Sequence, residues 1–271
     1  MNGLRYRAAV SFCALAFLAP MALRTAAADD RPGYDKLTRA QVLAVVEAGN
    51  AQNPAVLYAK DLSGVDLSAV DFRGANLSAS VLNRANLRGA NLSRCNLTVS
   101  FAEGADLEGA DLRGAVLFST QLQRANLKAA NLSGARFIGD LGGANLEAAT
   151  LTNMDAAADM KNQSMGLMRA NVVSAHLKGA DLSGSDFSRA DFSFSVLAGA
   201  NLSGARVFGG DFSGTDLSGA NLSRADLRES KFIDTDFTGA DLRDADFSNS
   251  TFRGVKGLER VLREEARGLP E

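Results

Sequence analysis

A period of five runs through most of this chain and narrows what it can fold into more than any other feature. From Ala85 to Leu97 the sequence reads ANLRG, ANLSR, CNL. Each unit has a large apolar residue at its centre, Asn or Asp before it, and a small residue before that. Ser, Thr or a charged residue follows the centre, and then often Gly. The pattern holds from about Lys60 to Gly254. Centres fall at Leu62, Leu67, Phe72, Leu77 and every fifth position to Phe137. One residue is lost near Gly139 and Asp140, so the next centres are Leu141, Leu146 and Leu151. They resume at Val172 and Leu177 and run to Phe252, and only Ala102, Val172 and Val207 are neither Leu nor Phe.

Five matches neither the 3.6-residue period of a helix nor the two-residue period of a plain strand. It fits a chain that turns a corner in every unit, with the large and the small apolar residue inward and three positions facing water. Asn, Asp, Ser, Thr and Gly are the residues such bends favour. No proline lies between Ala55 and Leu269, as expected where backbone N–H groups are committed to ladder hydrogen bonds. These A-(N/D)-L-x-x units resemble the pentapeptide-repeat family, over residues 60–254 of a 271-residue chain. The resemblance implies an all-β fold: a right-handed quadrilateral parallel β-helix, four units per coil, about ten coils, with Leu or Phe along the axis. A lone coil cannot bury its own ends, so stability must come from stacking.

The stretch from Met154 to Arg169 is degenerate. It is either two poor units carrying a bulge or a short excursion from a corner. Leu167 already fits the later register, which favours the bulged coil.

The flanks are out of phase with the repeat. Arg5 and Arg7 precede an apolar run from Ala8 to Leu23, and Ala26-Ala27-Ala28 follows. That order predicts a signal peptide over 1–28, cleaved before Asp29, and an exported protein, periplasmic or secreted. The run is shorter than the ~20 residues a membrane span needs, so no stable membrane insertion is expected after cleavage. Phe12, not a small residue, precedes Cys13, which disfavours lipidation. Cleavage leaves Cys95 as the one cysteine, so no intramolecular disulfide can form. In 29–59, Thr38 can N-cap a helix carrying Val42, Val45 and Val46 on one side and stopping at Gly49. Such a helix would cap the first coil, whose ladder edge and apolar end need cover. In 255–271, Leu258, Val261 and Leu262 predict a short helix between Gly257 and Gly268 that caps the other end. The resemblance adds a homodimer through that end, since some family members pair there.

Little in the chain can do chemistry. His176 is the lone histidine and stands at an outward Asn/Asp position, far in sequence from Cys95. Cys95 holds an inward small position and reads as filler. No nucleophile, base and acid can be assembled beyond His176 itself, and Gly139, Gly142 and Gly143 lack the Lys and Ser of a phosphate loop. No enzyme, cofactor or metal site is therefore expected. A net charge of −2 gives no footprint for nucleic acid.

Two functional classes remain. One is a non-catalytic extracytoplasmic scaffold or protein-binding rod with an unknown protein partner. The other comes from the resemblance: some pentapeptide-repeat proteins mimic a DNA duplex, bind DNA gyrase and confer quinolone resistance. That reading needs a cytoplasmic chain with an acidic face, whereas Arg84, Glu103, Arg124 and Asp140 alternate in sign down one face. The expected contact surface is Val99, Val116, Phe118 and Ile138. Dealt onto four faces, Phe118 and Ile138 stack above Thr98, with Val116 and Val99 beside them. Large apolar residues there break the local Ser/Thr/charge rule and make a continuous patch. Either a partner or a second copy binds it, or the N-terminal helix or the Met154–Arg169 segment covers it.

Overall fold

The computed structural model describes residues 33–158 and 169–270, so the 1–28 segment lies outside the described residues. Each unit is a short extended piece ending in a tight turn. In the unit centred on Phe72, the Ala75 amide donates to the Phe72 carbonyl at 2.7 Å, and Gly74 has φ +71°. A left-handed residue only at the third position makes this a type II turn, which favours Gly two places after the centre. The Asn before a centre braces the corner of its own unit from outside. Asn76 Oδ1 accepts from the Ser78 amide at 3.0 Å and from its hydroxyl at 2.6 Å. The Asn-Leu-Ser order is thus one local hydrogen-bonded turn.

Four such corners close a coil, and successive coils pair in parallel. The residues before the centres form four columns. Face 1 begins Val56, Asn76, Asn96, Val116, Arg136; face 2 runs through Asp61, Val81, Phe101 and Gln121. Face 3 begins at Asp66 and face 4 at Asp71. The result is an all-β, right-handed quadrilateral β-helix. From Val56 to Arg267 face 1 climbs ten steps, roughly 48 Å at ~4.8 Å per step.

The centres and the small residues fill the axis, and nearly all are buried. Where the small residue is Ser or Thr, its hydroxyl in most units reaches a turn carbonyl in the coil before, whereas Ser80 donates to Leu77 of its own coil. Thr215 Oγ1 donates to the Phe192 carbonyl at 2.8 Å and Ser195 Oγ to that of Val172 at 2.6 Å. A buried hydroxyl is thereby satisfied and ties one coil to the next. The early coils are centred mostly on Leu. In the later ones Phe192, Phe212, Phe232 and Phe252 stack, with ring centroids 5.2, 5.2 and 5.1 Å apart.

At the start, Asp35–Lys36 (β1) pairs with Lys60–Asp61 (β2), and Arg39–Ala48 forms α1. Thr38 caps α1 by accepting from the Gln41 amide, and the Gln41 side chain accepts from the Thr38 amide. Val42 is buried, Val45 and Val46 pack against the core, and Arg39 donates to the Asp66 and Ser68 carbonyls.

Three expectations need correction. The ladder spacing, ordinarily 20 residues, is 31 from Asp140 to Asn171 and from Asp155 to Asp186. The coil therefore takes up eleven extra residues, and 154–169 is not a regular coil with a one-residue bulge. Residues 159–168 themselves lie outside the described residues. Among the described residues the C-terminal end has one helix, a single 3₁₀ turn, Leu258–Arg260. The chain keeps winding past it, with Leu262 pairing to Asp241 and Arg267 to Asp246. Gly257 explains this: it turns left-handed at φ +77° against Thr238 of the coil before, where no side chain fits. The third correction concerns Ile138.

Candidate functional site

The outward positions of face 1 divide the molecule. In the coils centred on Leu57, Leu77, Leu97 and Leu117 they are Val56, Tyr58, Ala59, then Asn76, Ser78, Ala79, then Asn96, Thr98, Val99, then Val116, Phe118, Ser119. None of these is charged. Four of the six large apolar residues exposed among the described residues lie here: Val56 at 59%, Tyr58 at 57%, Val99 at 45% and Val116 at 39%. Phe118 is half-buried beside them.

Val99 adds an independent sign of selection for something other than stability. It occupies the left-handed corner at φ +59° and is the one β-branched residue to do so among the described residues. A β-branched side chain there is strained, at a cost of about 1–3 kcal/mol, and Gly holds the same place in many other units. An exposed apolar group in a strained corner serves neither the core nor solubility.

The structure brings three of the four expected contact residues to this surface and removes the fourth. Phe118, in Val116–Gln121 (β3), is the ladder partner of Ile138, in Arg136–Asp140 (β4). Ile138 is nevertheless buried, at 2% exposure. Its unit is one residue short: Gly139 lacks the left-handed turn, and a Cβ there would run into the Thr120 carbonyl. The shortened corner is drawn in, and the patch ends at Phe118. Val56 and Tyr58, upstream of the clear repeat, extend it instead. Phe101 does not displace Ala102 as a centre; Ala102 is buried in register.

Beyond Ile138 the same face is charged. Arg206 lies between Asp186 and Asp226 at 3.9 and 3.7 Å, and Arg228 donates to Asp226 at 2.7 and 2.8 Å. Arg189 and Arg228 sit 5.9 and 5.8 Å from the Phe208 ring. The other faces carry paired charges from the start. Arg124 bonds Glu103 on face 2, Arg88 reaches Asp106 and Glu108 on face 3, and Lys128 meets Glu147 at 3.0 Å.

The remaining chemical candidates are placed as follows. His176 is exposed in the face 3 column, beside a shallow depression lined by Asn145, Glu147, Lys178 and Val196. Cys95 is buried, its thiol pointing at the Phe72 carbonyl at 3.1 Å, and burial pushes its pKa up to about 12. No group of residues suited to hold a metal ion occurs among the described residues.

A family model described as Pentapeptide repeats matches in eight copies, over residues 61–98, 102–134, 167–204, 175–219 and 220–256. No curated protein matches the chain. Among solved structures it is similar to HetL, a pentapeptide repeat protein involved in heterocyst differentiation regulation from the cyanobacterium Nostoc sp. strain PCC 7120. That similarity is 26% identity over 85% of this chain and 94% of HetL, with a TM-score of 0.41. A trypsin-treated form of QnrB1, a plasmid-mediated fluoroquinolone resistance protein, is 26% identical over 72% of this chain and 90% of its own, with a TM-score of 0.41. A pentapeptide repeat protein of the Arabidopsis thaliana thylakoid lumen is 30% identical over 48% of this chain and 70% of its own, with a TM-score of 0.19.

Proposed function

The chain belongs to the pentapeptide-repeat family, and from that premise we propose that it is an exported, non-catalytic scaffold that binds protein through the first four coils of face 1. One observation carries this reading: twelve consecutive outward positions without a charge, holding most of the exposed large apolar side chains. Contiguous apolar surface on an otherwise charged exterior is the usual mark of a contact site. Export rests on the basic, apolar, Ala-x-Ala order of 1–28.

The test compares the wild-type chain with Val116→Ser plus Phe118→Ser as bait in periplasmic extract. Retention of a specific partner by the wild type and its loss from the variant, at unchanged melting temperature, is the expected result. Identical capture by both baits would remove the patch from function. N-terminal sequencing of protein from the native host should begin at Asp29, and a retained Met1 on soluble cytoplasmic protein would defeat export. A DNA-mimicking role is disfavoured by the alternating, paired charges of faces 2 and 3. Accordingly, the chain should leave gyrase supercoiling and its quinolone inhibition unchanged at submicromolar protein.

A further inference from the structure

The uncharged patch has an internal order that identifies an occupant. Read up face 1, the column before the centres is Val56, Asn76, Asn96, Val116, and the column after them is Tyr58, Ser78, Thr98, Phe118. The corner column is Ala59, Ala79, Val99, Ser119. The first two columns read apolar, polar, polar, apolar, so the pattern is nearly the same from either end. A surface of this kind complements itself under a two-fold axis, where residue i meets j and j meets i.

We infer that the occupant is a second copy of this chain, packed face 1 to face 1 with the two rods antiparallel. The two-fold axis lies along the strand direction, between the Asn76 and Asn96 rungs. Val56 then lies over Val116 of the second copy and Tyr58 over Phe118, while Asn76 meets Asn96 and Ser78 meets Thr98. Val99 falls on Ala79, where its strained, protruding side chain meets the smallest neighbour.

Charge excludes the parallel alternative. Side by side in parallel, Arg136, Asp155, Asp186, Arg206 and Asp226 would all be brought against the second copy along the rest of face 1. Taking that many charges out of water opposes association. In the antiparallel arrangement those rungs pass beyond the first coil of the second copy. Arg94, on the edge of the patch, comes opposite Gly74.

The contact is small. Four rungs at ~4.8 Å and three residues at ~3.3 Å cover roughly 19 by 10 Å, well short of the ~800 Å² per partner of a standard stable interface. The dimer is therefore weak and reversible, half-formed at tens to hundreds of micromolar, about −5 to −6 kcal/mol.

This inference rests on face 1 being a protein contact, and its test separates the two. In a Cys13→Ser background, chains carrying Val56→Cys and Val116→Cys are mixed and oxidised. The mixture should form the interchain disulfide at least tenfold faster than either chain alone. Equal rates in the single-variant samples, or no disulfide in any, overturn the antiparallel pairing. Sedimentation equilibrium of the wild-type chain should approach twice the monomer mass with rising concentration. Val116→Ser with Phe118→Ser should weaken that association at least tenfold. A wild-type chain that stays monomeric to about 500 µM overturns the dimer. In that event, selective capture of a different protein by the wild-type bait still upholds face 1 as a contact, whereas identical capture by both baits ends that reading too.

Discussion

The coils before Gly139 and those after Asn171 repeat the same pentad but are finished differently inside and out. The early coils are centred mostly on Leu, and the first four carry no charge at the outward positions of face 1. The later coils stack four Phe rings on face 2 and join Arg to Asp along face 1. The early block also holds a void of about 10 Å³ lined by Leu82, Ala102 and Leu122 among others, a Ser100 hydroxyl with no hydrogen-bond partner among the described residues, and the strained Val99, while the later block has one strained apolar corner, the exposed Phe194 at φ +60°. The pattern divides labour. One half is built for rigidity, and the other gives up some stability to present a surface.

Core truncation should expose that division most strongly. Phe212→Ala removes the second ring of the stack and should cost about 3–5 kcal/mol, while Leu112→Ala should cost about 2–5 kcal/mol. Denaturant melts that rank Leu112→Ala above Phe212→Ala would deny the later block its advantage. Next, Ala102→Leu restores a Leu column between Leu82 and Leu122 and should stabilise by about 0.5–2 kcal/mol, as cavity-filling changes commonly do. A lower midpoint would mean the void cannot open to a full side chain. Val99→Gly should raise stability by about 1 kcal/mol by releasing the left-handed strain, and should also weaken self-association. A gain in stability without any loss of association would uncouple the strain from the surface.

The electrostatic effects should be smallest, because the charged pairs are largely exposed. Arg113→Ala, which removes a partner of Asp111, should stay within about 0.5 kcal/mol. Arg113, Arg228 and Arg243 each donate to the carboxyl two residues before, and these hydrogen bonds hold Asp111, Asp226 and Asp241 below the usual carboxylate range. A depressed folded-state pKa stabilises the fold above the unfolded value of about 3.9 and stops doing so as pH falls through the folded value. Melting temperature should therefore be flat from pH 7 to about 5 and fall below about pH 4. A decline beginning near pH 6 would implicate some other group.

The coil was legible in the sequence because each position of the pentad has one physical task. Phe72 fills the axis, Gly74 turns left-handed, and Asn76 braces the next corner. The α1 cap was legible from Thr38 and its valines for the same reason. The excursion was not: eleven residues are two pentads plus one, so phase counting reads the same total as a coil with a bulge. Ile138 was misplaced because a lost corner residue changes what the next side chain faces, and periodicity records only that a residue is missing. Val56 and Tyr58 were overlooked because the recognisable pattern begins at Lys60, after their coil. The C-terminal helix was expected from Leu258, Val261 and Leu262, a spacing that a winding chain can also produce.

The step in ladder spacing from 20 to 31 leaves every rung on either side with its proper partner. Between Asp155 and Asn171 the chain thus admits length as freight, without altering what carries it. A corner that takes eleven extra residues without shifting the ladder lets the chain change length there while the coils on either side stay wound. A foreign peptide inserted between Ala158 and Arg169 should therefore leave the ladder partners of Asp140 and Asp155 unchanged.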